Sequence, residues 1–218
     1  MQTEIKEIFT SIQGEGPYVG YKQLFVRFCT CNLQCAYCDT DFKHGKKYSA
    51  EELEDICRQN SDCHSVALTG GEPLLSITFL KEFLPICPLP VYLETNATNI
   101  PELESIIDYV DFISADIKLP SCAAVEPMWE IHDKFFCTGK NKILFAKVVF
   151  DSNITEYEII KTAKLVKKYN IELILQPRMN GNEFCCTSEF MMNILDKFLK
   201  LYSNVRLIPQ MHKFLNIN

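Results

Sequence analysis

The sequence predicts an α/β fold built around a mostly parallel sheet, and three observations carry that expectation. Apolar runs of strand length recur along the chain, amphipathic segments of helical length separate them, and two polar motifs follow directly on the first two runs. The runs are QLFVRFC (23–29), HSVALT (64–69), PVYLET (90–95), VDFISADI (110–117), ILFAKVVF (143–150) and IELILQP (171–177), with NVRLIP (204–209) as a seventh candidate. They are β-branched, aromatic and mostly unalternated, as in strands buried on both faces. Of the intervening segments, SAEELEDICRQN (49–60) opens with Ser49 and Glu52 at capping-box spacing. TEYEIIKTAKLVKKYN (155–170) repeats apolar residues at i, i+4 and i+7 and gathers lysines toward its C-terminal end. Regular alternation of the two types implies right-handed βαβ units, arranged as an open doubly wound sheet or a partial barrel. In either arrangement, function belongs on the loops at the C-terminal ends of the strands.

Length and composition narrow the classes. At 218 residues, with 47% hydrophobic and 23% charged residues, the chain buries enough apolar surface to fold without disulfide staples. Its eleven cysteines therefore need another explanation. No repeat, low-complexity tract or linker interrupts it, so one domain is expected. The opening MQTEIKEIFTSIQGEG has neither the basic nor the apolar region of a signal peptide, and no apolar run approaches the roughly 20 residues of a membrane span. A cytoplasmic chain with reduced thiols is expected, in which clustered cysteines read as metal-binding or catalytic. A net charge of −6 with dispersed Lys and Arg argues against a nucleic-acid partner.

CTCNLQCAYCDT (29–40) holds the thiols that matter. Cys31, Cys35 and Cys38 share a loop short enough, at about 13 Å per four extended residues, to fold three sulfurs around one inorganic core. Zinc would want a fourth ligand, and His44, His64, His132 and His212 stand isolated. A [4Fe–4S] cluster normally takes four thiolates, so three leave one iron open for a small molecule. Structural thiols or a degenerate zinc knuckle is the competing reading. TGGEP (69–73) follows the second run: Gly70 and Gly71 permit close backbone approach and positive φ, and Glu72 offers an acceptor to an ammonium.

The spacing C-x-x-x-C-x-x-C, with Tyr37 before the last cysteine, resembles the signature of the radical S-adenosylmethionine (SAM) enzymes. IFTSIQGEGPYVG (8–20), RFCTCNLQCAYCDT (27–40), TGGEP, ETNA (94–97), QP (176–177) and PQMHKFLNIN (209–218) together resemble the 7-carboxy-7-deazaguanine synthase family, in that family's order. The resemblance implies a partial (β/α)6-type radical SAM barrel with shortened helices. It would be a single radical SAM domain over 1–218, with an N-terminal substrate-binding segment (8–20) and a C-terminal tail (209–218) closing the site. It implies conversion of 6-carboxy-5,6,7,8-tetrahydropterin to 7-carboxy-7-deazaguanine and ammonia, in queuosine and deazapurine biosynthesis. The cofactors would be a [4Fe–4S] cluster, SAM and Mg²⁺, and no catalytic side chain is needed beyond the 5′-deoxyadenosyl radical that they generate.

Residue by residue, the resemblance assigns the cluster to Cys31, Cys35 and Cys38 and the Mg²⁺ to Thr40. SAM would contact Tyr37, Cys38, Asp39, Gly71, Glu72, Ser114 and Gln176; Asp39 equally suits a role in orienting the loop. The pterin would meet Ile12, Gln13, Gly14, Glu15, Arg27, Thr69, His212 and the terminal carboxylate of Asn218. Arg27 suits its carboxylate because a planar guanidinium matches that group. Glu94 and Asn96 are further candidates, and Asp116 and Lys118 have no assigned role because SADIKLPS departs from the family's Ser-Pro-Lys stretch. Thr30 replaces the family's usual Gly. Cys29 and the remaining cysteines are expected to be structural. A homodimer and a flavodoxin- or ferredoxin-like electron donor are the implied partners. A glycyl-radical-enzyme activase is the alternative activity, and a non-enzymatic iron–sulfur or zinc scaffold the third.

Overall fold

The computed structural model describes residues 1–38 and 44–217. The chain opens with β1 (Gln2–Ile12), a 3₁₀ turn (Gly16–Tyr18), β2 (Lys22–Phe28) and β3 (Lys46–Ser49). It continues through α1 (Ala50–Gln59), β4 (Ser65–Gly70), α2 (Ile77–Phe83), β5 (Val91–Thr95), α3 (Ile100–Ile106) and β6 (Phe112–Asp116). Next come α4 (Pro120–Ala123), α5 (Trp129–Gly139), β7 (Ile143–Phe150), α6 (Glu156–Tyr169) and β8 (Glu172–Pro177). A hairpin of β9 (Met179–Asn180) and β10 (Glu183–Phe184), then α7 (Ser188–Leu201), β11 (Val205–Leu207) and α8 (Met211–Leu215), complete it.

Among the described residues, nine strands form one sheet in the order β11-β8-β7-β6-β5-β4-β2-β1-β3. From β2 to β11 every neighbour is parallel. All seven predicted runs fall in that parallel portion. What the sequence did not reveal is β1, which pairs antiparallel with both β2 and β3. Its sequence, QTEIKEIFTSI, mixes polar and apolar positions because much of it is solvent-exposed. The first five residues of the predicted substrate-binding segment (8–20) therefore belong to a strand.

The sheet curves around a small inner core. Phe25, Ala67, Tyr92, Phe145 and Ile174, one each from β2, β4, β5, β7 and β8, cluster on its inner face. The Tyr18 ring lies 5.6, 4.9 and 6.3 Å from the rings of Tyr92, Phe112 and Phe145. One ring thus packs on three successive strands, β5, β6 and β7. The larger core lies outside, where the helices bury Leu53, Phe79, Phe83, Leu103, Phe135, Phe136, Ile159, Val166 and Phe198 against the sheet. Each such phenylalanine contributes about 1.5–3 kcal/mol. The predicted capping box of α1 forms: Ser49 Oγ accepts from Glu52 N at 3.2 Å, and Glu52 Oε2 accepts from Ser49 N at 2.7 Å. At α6, Thr155 and Glu158 repeat the arrangement. Seven-residue α2 and α3 fit the expectation of shortened helices in a partial barrel.

Candidate active site

Side chains two residues apart on a strand share a face. Two positions beyond the inner aromatic layer, at the C-terminal ends of the strands, stand Arg27, Thr69, Glu94, Ser114, Lys147 and Gln176. All six line one cavity of about 210 Å³. Cys31, Cys35 and Cys38 line it too, from the loop after β2. A second cavity of about 330 Å³ shares Glu15, Arg27, Thr69, Glu94 and Gln210 with the first, and also reaches Ile12, Gln13, Gly14 and His212. The strand-end rule thus gathers most of the predicted residues, from six strands and both ends of the chain, around two adjoining spaces.

The cysteine loop is held from two sides. Ala36 N donates to Ala123 O of α4 at 2.9 Å, and Glu72 N donates to Thr30 O at 2.7 Å. The second contact depends on glycine, since a Cβ on Gly71 would sit 2.0 Å from the Thr30 oxygen. Gly70, at φ +102°, would likewise meet Phe28 backbone. The close approach that the glycines allow is to the cysteine loop itself. The exposed Thr30 fits in the family's glycine position because only its carbonyl is engaged here. Leu33 N donates to Cys31 Sγ at 3.5 Å, and Asn96 Nδ2 lies 4.0 Å from the same sulfur while donating to Asn32 Oδ1 at 2.8 Å. Burial raises the Cys31 and Cys35 thiols above their usual range, opposed in part by Lys118.

Among the described residues no three Cys, His, Asp or Glu side chains stand close enough together to hold a metal ion. The three thiols of this one loop nevertheless line the same cavity, with Leu33 N–H aimed at one sulfur, and their donor chemistry is that of an iron–sulfur cluster. A SAM site fits beside it. Gln176 is 2% exposed, and its Oε1 has no hydrogen-bond partner among the described residues, so a buried acceptor lines the cavity. Ser114 is buried on the same wall. Tyr37 lines it as well, with Lys118 Nζ 5.3 Å from its ring centre.

Several predicted residues have partners that the sequence did not reveal. Glu72 does not line either cavity: fully buried, it accepts from Thr95 Oγ1 at 2.9 Å, Asn96 N at 2.8 Å and Leu74 N at 3.1 Å. Burial pushes its carboxyl up to about 7 against those bonds. Its carboxylate, expected to meet a ligand's ammonium, is engaged within the chain. Gln13 Nε2 donates to Gln23 Oε1 and Glu94 Oε1, both at 2.9 Å, and its Oε1 accepts from Glu15 N at 3.0 Å. Its amide therefore braces Glu94 and Glu15 within the chain. Thr69 Oγ1 donates to the other Glu94 oxygen at 2.6 Å. Arg27 Nε donates to Glu7 Oε1 at 2.7 Å, across the Glu7–Arg27 pair of β1 and β2.

Lys147 was missed, because it sits inside an apolar run and gave no motif. It forms an ion pair with Glu15 and lies 3.7 Å from Asp116 Oδ2, which also meets Lys118 Nζ at 2.6 Å. Asp116 and Lys118, unassigned by the sequence, therefore join Glu15 and Lys147 in one row of alternating charge. Burial opposes the charge on Lys147, but Glu15, Asp116 and Glu94 hold it above the ordinary lysine range. Burial likewise opposes the charge on Glu15, and the Lys147 charge, the hydrogen bonds from Lys147 and Gln210 and the His212 charge together outweigh it, holding the carboxyl at about 2.

The tail packs against the segment after β1. Met211 N donates to Gly14 O at 2.8 Å, Gln210 Nε2 donates to Glu15 Oε1 at 2.7 Å, and a Cβ on Gly14 would strike the His212 ring at 2.1 Å. Asp39, Thr40 and Asn218 lie outside the described residues. Among the other cysteines, Cys29, Cys57, Cys63 and Cys122 are buried, in keeping with structural roles. His132 is a core residue, 1% exposed, with Nδ1 3.3 Å from Ala97 O.

Comparison with known proteins gives the family. The family profile described as the Radical SAM superfamily matches residues 25–185, and the chain belongs to that superfamily. A 7-carboxy-7-deazaguanine synthase from Geobacter sulfurreducens is 33% identical over 97% of this chain and 96% of its own. Those from Archaeoglobus fulgidus and Methanocaldococcus jannaschii are 32% and 34% identical, over 100% and 98% of this chain and 100% and 99% of theirs. Within the superfamily, the chain is a member of the 7-carboxy-7-deazaguanine synthase family. The fold is shared with the crystal structure of QueE from Escherichia coli, with a TM-score of 0.69 at 19% identity, covering 97% of this chain and 95% of that one. It is also shared with a radical SAM methyltransferase from Sphaerobacter thermophilus, with a TM-score of 0.64 at 9% identity, covering 89% and 67%. These relatives lend nothing to the activase reading. A [4Fe–4S] cluster and SAM follow from membership of the superfamily, as do a small-molecule substrate and the need for a reductant. Among the described residues, no helix is long and apolar enough to cross a membrane.

Proposed function

We propose that the chain is a radical SAM lyase that converts 6-carboxy-5,6,7,8-tetrahydropterin to 7-carboxy-7-deazaguanine with loss of ammonia. The observation that carries this reading is the shared wall: Glu15, Arg27, Thr69 and Glu94 line both the cysteine-bearing cavity and the one beside it. A bicyclic acid in the second cavity would then lie against a reactive centre in the first. When bound, the reduced cluster and SAM supply a hydrogen-abstracting radical. The chain's own residues bind, orient and enclose. Cys31, Cys35 and Cys38 hold the cluster, and Ser114, Gln176, Tyr37 and the backbone at Gly71 receive SAM.

Arg27, already steered by Glu7, offers its guanidinium to the pterin carboxylate. Glu15 accepts from the amino-bearing edge, Thr69 and Glu94 flank it, and the 210–217 tail shields the space from water. Thr40 would offer an oxygen to Mg²⁺, which fixes the substrate carboxylate. A homodimer, a flavodoxin- or ferredoxin-like electron donor and a cytoplasmic location complete the reading. Anaerobic incubation of reconstituted protein with SAM, reductant and the carboxytetrahydropterin should yield 7-carboxy-7-deazaguanine and ammonia. SAM cleavage without a deazapurine in the product mass spectrum would refute the assignment.

A further inference from the structure

Glu15 lies in the loop after β1, where no regular hydrogen-bond ladder fixes its direction. Three contacts do so: its backbone N to Gln13 Oε1, one carboxylate oxygen to Gln210 of the tail, and the other to Lys147 of β7. Lys147 is the rigid member of this set. It stands in the middle of the sheet, 8% exposed, in register with Asp116 on β6, and Ile117 N donates to its carbonyl at 2.8 Å. The ammonium therefore has little freedom to move, and what it holds is held to the barrel.

We propose that Lys147 is a positioning residue that fixes the Glu15 carboxylate as an acceptor on the wall shared by the two cavities, for the N–H-rich edge of a bound heterocycle. This rests on the pterin reading given above. Electrostatics support the geometry. Around Glu15 and Lys147 stand Glu94 of β5, Asp116 of β6 with Lys118 beyond it, Arg27 of β2 paired with Glu7, and His212 and Lys213 of the tail segment. With Lys147 removed, a buried Glu15 would lose the cation in contact with it and keep only the Gln210 donor and the His212 charge to hold it ionised. Burial, the largest influence on Glu15, then favours the protonated acid. A protonated acid offers a donor where the heterocycle's own N–H groups need an acceptor.

The test uses reconstituted holoenzyme, with pterin KM, kcat and equilibrium binding measured from pH 5.5 to 8.5. Lys147→Gln should raise KM at least tenfold at pH 6 relative to the parent protein, and the ratio should shrink as pH rises and Glu15 ionises. The loss of kcat should be smaller than the rise in KM. Lys147→Arg should restore the parent profile, because it restores the cation. Glu15→Gln should give a raised KM whose ratio to the parent shows no such recovery with pH, which keeps the test alive if Lys147→Gln does not fold. A Lys147→Gln ratio that stays constant with pH, or a Glu15→Gln variant that binds like the parent, overturns the proposal. Failure of the parent protein to bind the carboxytetrahydropterin overturns the function reading as well, so the two failures are distinguishable.

Discussion

Glu72 shows how far a motif residue can differ from its motif reading. TGGEP placed it just past the end of β4, and its carboxylate, which lines neither cavity, ties Thr95 and Asn96 to the 3₁₀ turn Pro73–Ser76. Asn96 in turn holds Asn32 in the cysteine loop. The carboxyl, ordinarily at 4.5, is pushed by burial to about 7, so the folded state binds more protons than the unfolded state between those values. Stability contributed below pH 4.5 is therefore lost as pH rises toward 7, by roughly 3 kcal/mol at most. Glu72→Gln should remove that slope. It should also cost about 1–3 kcal/mol at pH 5, because an amide N–H₂ cannot accept from all the donors that a carboxyl serves. Thermal midpoints at pH 5, 6, 7 and 8 check both points; a slope that survives in the variant would assign the pH dependence elsewhere. Residues such as Arg27 and the three cysteines were legible because their type and spacing are unusual. Lys147 and the internal bonds of Gln13 were not, because partners 132, 10 and 81 residues away are set by barrel closure rather than local pattern.

At the scale of elements, the parallel strands were readable because burial on both faces demands continuous apolar runs. β1 was hidden by its exposed face, and the β9–β10 hairpin by its length of two residues per strand. The helix caps were partly readable, and one of them does more than start a helix. Glu158 completes the Thr155 capping box of α6, and its Oε1 also accepts from Ser121 N of α4 at 2.8 Å. From α4, Ala123 O receives Ala36 N of the cysteine loop. The start of α6 is thus connected to the cluster ligands through one short helix. Thr155→Ala should lower stability by about 1 kcal/mol and leave iron content unchanged, since Glu158 keeps the Thr155 N and Ser121 N donors when the hydroxyl is lost. Glu158→Ala should cost more, about 1–3 kcal/mol, because the half-buried Ser121 N loses its acceptor along with the cap. It should also reduce the iron retained per chain after anaerobic reconstitution. Equal iron content in the two variants would show that α4 holds the loop without help from α6.

The whole molecule closes by bringing its two ends together over the inner face of the sheet. Residues 13–15 leave β1 and meet residues 210–212 of the tail, with Met211 on the Gly14 carbonyl and the His212 ring against the Gly14 Cα. Gly14 does not need glycine for its backbone angles, as its φ is not positive. It needs glycine for space, since a Cβ would lie 2.1 Å from His212 Nδ1 and 2.7 Å from His212 Cβ. Gly14→Ala therefore displaces whichever partner is less firmly anchored. The strand side is tied by Gln13 N to Tyr21 O at 2.7 Å and by the buried Gln13 amide, whereas Phe214, Leu215 and Ile217 of the tail are 42, 52 and 39% exposed. The tail should be the part that moves. The thermal midpoint should stay within about 3 °C of the parent, because little buried apolar surface is lost. Tryptic cleavage after Lys213 should accelerate by roughly tenfold, because local opening sets its rate. A large fall in the midpoint with unchanged cleavage at Lys213 would mean that the displaced partner is the 13–15 segment, and that the tail is the anchored side of the closure.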